Sequence, residues 1–522
     1  MTAAPSIAAV LAATAAGHGN RTAVVDGATR LTYAELASSA HGFAAALVAS
    51  GVQPGDRVAI WAPNSTEWVV AALGLFEAGA VLVPVNTRFK GAEAKDILLR
   101  SGARTLVTVT DFHGTDYVAM LRDVALPTMK TVVVARGPVV EGSVSWGDFL
   151  DRGTPEARAE VSRRAAALGP DDWSDILFTS GTTGVPKGVV QTHGRTLQVA
   201  TDWVAMSGLK AGDRYLMVNP YFHMFGLKAG ILACLVAGAT MVPEPVFDPE
   251  RVLTLVEAER ITVLPGPPTL YQALLDHPER DGHDLSTLRV AVTGAADIPV
   301  ELIRRVFDEL PFETVITGYG LTEGGTAAAT GPDDDATTIA TTVGRPRPGF
   351  ELRIVDGDGN DVAPGEAGEV LLRGGSIMSH YLDDPAATAE VLSEDGWLRT
   401  GDLATLDEQG CLRIVGRAKD MFIVGGFNAY PAEIENALLR HPDIRQAAVI
   451  GIPDARLGEV GMAYVVLAPE STTTADDIMA WARDEMANYK APRRVEVRTE
   501  LPVNATGKVV KDTLRQSVAA HA

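Results

Sequence analysis

Cysteine is nearly absent from the 522-residue chain, which contains only Cys234 and Cys411. Neither has a CxxC or histidine-rich neighbourhood, so the sequence predicts two reduced thiols and gives no indication of zinc. Positive charge is also scarce, because 45 Lys and Arg stand against 66 Asp and Glu, a net charge of −21. Such a chain repels nucleic acid at long range, which argues against nucleic-acid binding as its main function. A few local cations can still build a nucleotide site.

Long apolar runs are missing as well. The longest, Ala229–Val242, has 14 residues and is interrupted by glycine and threonine, whereas a membrane-spanning helix needs about 20. The alanine-rich start has no Lys or Arg ahead of its apolar stretch, so a secretory signal is not indicated. The sequence therefore predicts a cytoplasmic protein without a membrane span, and its 46% hydrophobic content permits a large core.

Strand-like and helical patterns alternate along most of the chain. Predicted strands are Val58–Ala62, Val81–Val85, Thr105–Thr110, Thr131–Ala135 and Leu288–Val292, and predicted helices are Thr66–Ala78, Ala92–Leu99 and Val300–Leu310. This alternation predicts an α/β fold with layered, parallel-rich sheets. Ligands in such folds bind beyond the carboxyl ends of the strands.

The pattern changes towards the C-terminus. Segments Gly344–Asp356 and Gly365–Gly375 predict a small β-rich subdomain. After the charged segment Gly416–Asp420, a compact α+β pattern follows, with helices Ala432–Leu439 and Ala475–Glu485 and strands Ala447–Ile452 and Met462–Leu467. We therefore expect a large N-terminal domain, residues 1–417, and a small C-terminal domain, residues 418–522.

One decapeptide concentrates hydroxyls, glycines and a lysine directly after the apolar run Ile176–Phe178. It consists of Thr179, Ser180, Gly181, Thr182, Thr183, Gly184, Val185, Pro186, Lys187 and Gly188. Glycines let the backbone approach an anion, and successive N–H groups form an anion-binding nest. The segment thus predicts a phosphate-binding loop. It is neither a Walker A loop, since glycine follows the lysine, nor a dinucleotide fingerprint.

The decapeptide resembles the signature of the adenylate-forming superfamily, which includes acyl-CoA synthetases, luciferases and the adenylation domains of peptide synthetases. Four further segments resemble motifs of that superfamily and follow in the same order along the chain. They are Gly294–Ala296, Gly318–Glu323, Trp397–Asp402 and Pro502–Lys508. The resemblance in organisation extends over nearly the whole chain.

The resemblance implies a role for each motif. ATP or AMP would be bound by Thr179, Ser180, Gly181, Thr182, Thr183, Gly184, Lys187, Gly294, Ala295, Ala296, Gly318, Tyr319, Gly320, Asp402 and Arg417. Tyr319 would stack on adenine, since aromatic rings stack on bases, and Asp402 with Arg417 would hold the ribose. Thr322 would contact the α-phosphate, and Glu323 would hold Mg²⁺, which prefers oxygen ligands. Lys508 would bind the carboxylate and the α-phosphate.

The resemblance also implies two reactions and a domain movement between them. A carboxylic acid and ATP would give acyl-AMP and pyrophosphate, and coenzyme A would then displace AMP. The C-terminal domain, mobile about the hinge Lys419, would withdraw Lys508 and bring Gly425, Gly426 and Phe427 to the tunnel for coenzyme A. His223 would orient the substrate or gate that tunnel; a packed core histidine stays an alternative.

The acid itself is less well specified. An acyl pocket with Phe222, Met224, Phe225 and Leu227, and with Gly324 and Gly325 leaving space, would suit a bulky hydrophobic acid. Several stretches, such as Met421–Glu433, resemble the actinobacterial acyl-CoA ligases of steroid ring degradation, which act on a bicyclic propanoate. A medium- or long-chain fatty acid and an aryl or cinnamate-type acid stay open as alternatives. So do a stand-alone adenylation module that serves a carrier protein, and a homodimer.

Overall fold

The computed structural model describes residues 5–122, 125–180, 186–294, 298, 300–417, 422–429, 431–469, 471–502, 509 and 511–519. Its strands are β1 Thr22–Asp26, β2 Thr29–Thr32, β3 Arg57–Trp61, β4 Val81–Pro84, β5 Thr105–Val109, β6 Thr131–Arg136, β7 Val144–Ser145, β8 Trp173–Ser180, β9 Pro186–Thr192, β10 Arg214–Met217, β11 Thr240–Pro243, β12 Val263–Pro265, β13 Val290–Gly294, β14 Thr314–Leu321, β15 Gly325–Ala329, β16 Arg345–Pro346, β17 Phe350–Val355, β18 Gly368–Gly374, β19 His380–Tyr381, β20 Leu398–Leu406, β21 Leu412–Arg417, β22 Phe422–Val424, β23 Phe427–Ala429, β24 Ile444–Asp454, β25 Gly458–Leu467 and β26 Arg494–Arg498.

The α-helices are α1 Ile7–His18, α2 Tyr33–Ala49, α3 Thr66–Glu77, α4 Gly91–Ser101, α5 Trp146–Leu150, α6 Pro155–Ala167, α7 His193–Ser207, α8 Ala233–Ala237, α9 Pro249–Glu259, α10 Pro268–Leu275, α11 Val300–Glu309, α12 Ala336–Thr341, α13 Pro385–Val391, α14 Pro431–Leu438, α15 Ala475–Glu485 and α16 Lys511–Ala519. A π-helix, Phe225–Leu232, runs directly into α8. Two short 3₁₀ helices cover Ala119–Leu121 and Arg280–Gly282.

Two large, mostly parallel sheets form the N-terminal part, as the alternating pattern predicts. The first has the order β19-β9-β8-β4-β3-β5-β6-β7 and is parallel from β8 to β7. The second has the order β16-β15-β14-β13-β12-β10-β11-β1-β2 and is parallel from β14 to β1. Parallel strands need crossover connections, which cover the faces of the sheets with helices.

A large hydrophobic cluster lies between these sheets and their helices. It includes Phe43 of α2, Trp61 of β3 and Trp68 of α3, each at most 1% exposed. Helix α3 begins where Ser65 accepts a hydrogen bond from the backbone N–H of Trp68 at 3.2 Å, a side-chain cap that satisfies an otherwise unpaired donor. Burial of one such large side chain contributes about 2–3 kcal/mol, so this core fixes the strand ends on which a site can be built.

Two smaller sheets complete the chain. The order β17-β18-β20-β21 is antiparallel and forms the predicted β-rich subdomain. The order β23-β22-β25-β24, with β26 beside β25, carries the helices α14, α15 and α16. These last elements have their own cores, one of them around Phe422, Ile434 and Val449. The predicted α+β C-terminal domain is thus confirmed.

Several predicted elements agree with the structure, and others are wrong at their ends. Helix α15 has the predicted bounds, whereas β13 begins two residues later than the predicted strand Leu288–Val292. The glycine-rich segment Gly318–Leu321 forms the second half of β14, because pairing with β15 extends that strand. Within the part of the chain that the structure describes, no helix is long and apolar enough to cross a membrane.

Candidate active site

The predicted phosphate loop lies in a hairpin at the edge of the first sheet. Strands β8 and β9 are antiparallel and flank it, with Thr179 opposite Lys187 and Ser180 opposite Pro186. Gly181, Thr182, Thr183 and Gly184 lie outside the described residues. The hairpin therefore places Thr179 and Lys187 opposite one another at the base of the predicted phosphate loop.

Glu323 lies in the turn between β14 and β15, next to this hairpin. The hydroxyl of Tyr381 donates a hydrogen bond to Glu323 Oε1 at 2.9 Å, and the Nζ atom of Lys187 lies 5.0 Å from the centre of the Tyr381 ring. The backbone carbonyl of Glu323 accepts from the N–H of Met378 at 2.6 Å. Thr322 precedes Glu323 in the same turn and is partly exposed. A cation and a carboxylate from two different sheets thus both contact Tyr381.

Tyr319 and Asp402 are joined directly, although they belong to motifs that lie far apart in sequence. The hydroxyl of Tyr319 donates to Asp402 Oδ2 at 2.5 Å, and Asp402 is 4% exposed. Asp402 on β20 is also the cross-strand partner of Arg417 on β21. The residues that we predicted to hold adenine and ribose therefore belong to one connected group.

The glycines beside Tyr319 are required by close backbone packing. Gly294 and Gly318 are neighbours on the parallel strands β13 and β14. A Cβ atom at Gly320 would lie 2.6 Å from the carbonyl oxygen of Gly325, closer than real Cβ contacts allow. Any other residue at this position would push the two strands of the hairpin apart and move Tyr319. Ala295 and Ala296 lie outside the described residues.

His223 lies in the loop between β10 and the π-helix. Its Nδ1 atom accepts a hydrogen bond from the backbone N–H of Phe225 at 3.2 Å, so in the neutral ring the proton is on Nε2. The side chain is exposed, yet the protein that surrounds it disfavours the charged ring and lowers the pKa of His223. Both observations fit a neutral imidazole that stays accessible, with Nε2–H available as a donor.

The predicted acyl residues have different degrees of exposure. Phe222 and Phe225 are partly exposed, and the Phe225 ring meets the Trp203 ring edge-on, with 4.9 Å between centroids. Met224 is 6% exposed. Leu227 has no exposed surface, so it lies behind the wall of any pocket here rather than in it.

Gly324 and Gly325 were predicted to leave space for the acyl group. A Cβ atom at Gly324 would lie 3.3 Å from a methyl group of Leu321, a tight contact that this flexible side chain can relieve. Gly325 has a φ of +74°, in the left-handed region, and a Cβ there would lie 2.6 Å from Val199 of α7. The missing side chain of Gly325 thus allows the β14–β15 turn to pack against α7.

The glycine turn predicted for the coenzyme A tunnel connects β22 and β23 and faces the N-terminal domain. Gly425 and Gly426 have φ of +56° and +84°, and a Cβ atom at Gly426 would lie 3.6 Å from Pro267 Cβ, just before α10. The guanidinium of Arg88 lies 3.9 Å from the centre of the Phe427 ring. The turn therefore lies against Pro267, which directly precedes a helix of the second large sheet.

A second contact between the two domains lies beside this turn. Lys490 is 2% exposed, and its Nζ atom is 3.1 Å from Glu93 Oε1 and 4.3 Å from the centre of the Phe89 ring. An ammonium over an aromatic face is attracted by the ring quadrupole. The ion pair and the ring together hold the domains in the orientation observed. Lys419 and Lys508, predicted as hinge and catalytic lysine, lie outside the described residues.

Three groups around the site were not predicted. Tyr381 links Lys187 to Glu323, but nothing near it in the sequence is unusual. Asn64 is buried and bridges β3 to the loop that carries His223, donating to Met217 O at 2.8 Å and accepting from Tyr221 N at 2.8 Å. A fully buried ion pair joins Lys228 of the π-helix to Asp175 of β8. The only indication of this ion pair in the sequence is the position of Lys228 among apolar residues.

The fold and these groups are those expected of a nucleotide-binding enzyme, with a small second domain packed against the large one. The chain matches the family described as AMP-binding enzyme over residues 11–382, and its C-terminal domain over residues 433–508. The first match covers well over half of the chain, and the protein therefore belongs to the AMP-binding enzyme family, the adenylate-forming enzymes that its motifs resemble.

Relatives with assigned activities extend over almost the whole chain. The protein is 49% identical to the 3-[(3aS,4S,7aS)-7a-methyl-1,5-dioxo-octahydro-1H-inden-4-yl]propanoyl:CoA ligase of Rhodococcus jostii, in an alignment that covers 95% of this chain and 96% of that protein. With the ligase of the same name from Mycobacterium tuberculosis it is 51% identical, again over 95% and 96%. Among solved structures, an amide bond synthetase from Marinactinospora thermotolerans is similar with a TM-score of 0.86 at 30% identity, over 98% and 99% of the two chains.

Proposed function

We propose that this protein is an ATP-dependent acyl-CoA ligase whose acid is the bicyclic 3-(7a-methyl-1,5-dioxo-octahydroinden-4-yl)propanoate. The observation that carries the proposal is the identity of about half with two ligases named for that acid, over 95% of the chain. Family membership alone sets the adenylating chemistry and leaves the acid open. The reaction is assigned to the cytoplasm, where ATP and coenzyme A are both available.

In the first step the carboxylate of the acid attacks the α-phosphorus of ATP. A new carboxyl C–O–P linkage forms, the bond to the bridging oxygen breaks, and pyrophosphate leaves. Both reactants are anions, so the enzyme contributes positive charge and positioning rather than a covalent nucleophile. Lys187 and the N–H groups of the hairpin bind the phosphates, Tyr319 stacks on adenine, and Asp402 accepts from the ribose hydroxyls.

Magnesium fits the groups present beside the hairpin. Glu323 supplies one carboxylate, and no cluster of three or more His, Cys, Asp or Glu side chains occurs among the described residues. Mg²⁺ binds through one or two carboxylates together with phosphate oxygens, so a single glutamate is a sufficient protein ligand. When bound, Mg²⁺ neutralises charge on the phosphates of ATP.

In the second step the sulfur of coenzyme A attacks the acyl carbonyl, the thiol loses its proton, and AMP leaves. The Gly425–Phe427 turn borders the path of the thiol, since it faces Pro267 in the observed orientation. The first step needs a different orientation, with Lys508 at the α-phosphate, and Lys419 is the hinge between the two. His223, neutral and with Nε2–H directed outward, orients the acyl carbonyl or the carboxylate.

The acyl wall supports a wide apolar acid. Phe222, Met224 and Phe225 are apolar, and Trp203 backs the ring of Phe225. None of these side chains has a charge to neutralise a second carboxylate, which disfavours dicarboxylic acids. A bicyclic acid can make apolar contacts with these side chains. Its two ketone oxygens are neutral hydrogen-bond acceptors and need no opposite charge.

The test is pyrophosphate release with ATP and Mg²⁺ across a panel of acids, with and without coenzyme A. The panel contains the bicyclic dioxo propanoate, fatty acids of graded length, and ferulate. The proposal predicts the highest kcat/KM for the bicyclic acid and steady turnover only when coenzyme A is present. A higher kcat/KM for a fatty acid or for ferulate would contradict the assigned acid but retain the ligase.

A second arm replaces coenzyme A by simple amines. The similarity to an amide bond synthetase makes an amine the alternative acceptor for the acyl group. Formation of an amide at a rate that exceeds thioester formation would contradict the ligase assignment, whichever acid is used.

A further inference from the structure

Tyr381 lies between two charged groups that come from different sheets. Its hydroxyl donates to Glu323 Oε1 at 2.9 Å, and Lys187 Nζ lies 5.0 Å from its ring centre. The residue is only 6% exposed. A carboxylate can only accept, so the tyrosine oxygen must be the donor in this contact. Tyr381 thus uses its polar end on an anion and its aromatic face on a cation.

The backbone around Tyr381 is fixed to both neighbours. Tyr381 pairs with Val189 in the antiparallel ladder between β19 and β9, and the N–H of Leu382 donates to Gly188 O at 2.7 Å. This attaches the segment to the strand that carries Lys187. Three residues earlier, Met378 N donates to Glu323 O at 2.6 Å. The backbone that carries the Tyr381 side chain is therefore hydrogen-bonded both to the β8–β9 hairpin and to the turn that contains Glu323.

Both contacts restrict the rotamers of long, flexible side chains. A long lysine or glutamate side chain loses up to about 2 kcal/mol of rotamer entropy when it is fixed. A hydrogen bond to a carboxylate and an ammonium over an aromatic face are the kinds of contact that offset this cost before a ligand arrives. Without Tyr381, more of this ordering would have to accompany the binding of MgATP.

We propose that Tyr381 is a positioning residue for adenylation: its hydroxyl orients the Glu323 carboxylate and its ring orients the Lys187 ammonium towards the same triphosphate. The inference rests on the roles of Glu323 and Lys187 in the proposed function and adds a residue that no motif assigned to ATP. Tyr381 does not touch the reacting atoms; it acts through these two groups.

The test uses the full-length enzyme and a readout other than turnover. ATP binding is measured by isothermal titration calorimetry at a series of Mg²⁺ concentrations, in wild type, Tyr381→Phe, Tyr381→Leu and Glu323→Gln. Tyr33→Phe is the matched control, since it removes another buried hydroxyl that lies away from the site. That hydroxyl donates a hydrogen bond to Ala239 O at a distance of 2.6 Å. No acid is needed, so an error in the assigned substrate does not affect the result.

The expected results separate the two contacts. Tyr381→Phe should raise the Mg²⁺ concentration for half-maximal ATP binding about tenfold, the effect of a lost hydrogen bond to a charged group, and leave ATP affinity at saturating Mg²⁺ near that of wild type. Tyr381→Leu should in addition weaken ATP binding at saturating Mg²⁺ about threefold, because the cation–π contact is lost. Thioester formation from preformed acyl-AMP should be unchanged in both variants.

Two outcomes would overturn the inference. If Tyr381→Phe has the Mg²⁺ dependence of Tyr33→Phe while Glu323→Gln raises the Mg²⁺ requirement, the positioning role is wrong and the role of Glu323 stands. If Glu323→Gln also leaves the Mg²⁺ dependence unchanged, both are wrong. Because the phenylalanine variant retains the ring and the shape of the residue, the test holds even if the leucine variant fails to fold.

Discussion

A buried ion pair between Lys228 and Asp175 offers a sharp test of how the two large sheets are joined. Lys228 Nζ lies 2.9 Å from Asp175 Oδ1, and neither side chain has any exposed surface. The contact has ion-pair distance without hydrogen-bond angles, while Asp175 Oδ2 accepts from the hydroxyls of Ser174 and Thr196, both at 2.7 Å. Burial lowers the pKa of Lys228, and the aspartate opposes that shift.

Removal of the lysine charge leaves Asp175 buried with two neutral donors. Breaking a buried pair on one side costs about 3–5 kcal/mol, whereas replacing both partners is often close to neutral. A unit of about 400 residues unfolds with an entropy of about 0.8 kcal/mol per kelvin. Lys228→Met, which retains the length of the side chain, should therefore lower the Tm by about 4–6 °C.

The assay is thermal unfolding of wild type, Lys228→Met, Asp175→Asn and the double variant. The loss of unfolding free energy in the double variant should be smaller than the sum of the losses in the two single variants. The difference, the interaction free energy, should be at least about 1 kcal/mol. Lys210→Met, at an exposed lysine, is the control and should leave the Tm within about 1 °C of wild type. A Lys228→Met variant that melts like the control, or strict additivity in the double variant, would refute the reasoning.

Three further changes have outcomes that the structure sets. Burial lowers the pKa of His193 from 6.5 to about 4, so between these values the unfolded chain binds a proton that the folded chain does not, and stability falls as the pH falls. Between pH 7.5 and 5, the free energy of unfolding of His193→Gln should fall by about 2 kcal/mol less than that of wild type, as measured by urea unfolding. Gly320→Ala should abolish ATP binding in calorimetry but leave the C-terminal domain folded, because its Cβ would meet Gly325 O at 2.6 Å. Lys490→Met should slow thioester formation from preformed acyl-AMP about tenfold and leave pyrophosphate release unchanged. The reason is that Lys490 contacts Glu93 and Phe89 in the domain orientation in which Gly426 faces Pro267. An equal loss of rate in both half-reactions would contradict a role confined to that orientation.

The fold could be predicted from the sequence as far as local patterns determine it. Alternating apolar runs and helical faces predicted the parallel-rich sheets, and the bounds of α15 agree to the residue because Thr474 caps it and its side chain accepts from Asp477 N at 3.2 Å. The order of strands was beyond reach, because pairing of β10 with β11 and β12, or of β1 with β11, depends on long-range packing. The π-helix was missed for a similar reason. One extra residue in a turn of a mostly apolar segment leaves the hydrophobic pattern almost unchanged. Asp175, the partner of Lys228 in this π-helix, lies on a strand that is distant in sequence.

In the candidate site, too, features set by local sequence could be predicted, whereas contacts set by long-range packing could not. Loop chemistry is local, so hydroxyls, glycines and Lys187 could be assigned to phosphate from their pattern alone, and these assignments stay predictions until ligands are bound. The contact of Tyr319 with Asp402 connects two motifs that had been assigned separately. Tyr381 could not be found, because its role depends on β19 lying beside β9, a pairing between strands that are far apart in sequence.

This division suggests where substrate choice is encoded in the chain. The residues proposed to contact ATP belong to the family motifs, and we expect a change there to impair the reaction with every acid. The proposed acyl residues Phe222, Met224 and Phe225 instead lie in a loop and at the start of the π-helix, which are held by Asn64 on one side and by the Lys228–Asp175 pair on the other. Neither Asn64 nor the ion pair is among the proposed acyl residues, yet both fix the backbone that carries those residues. We therefore expect a change at these anchors to alter the choice of acid while every ATP motif is retained, and we expect acid specificity to depend on the π-helix and its partners in three dimensions.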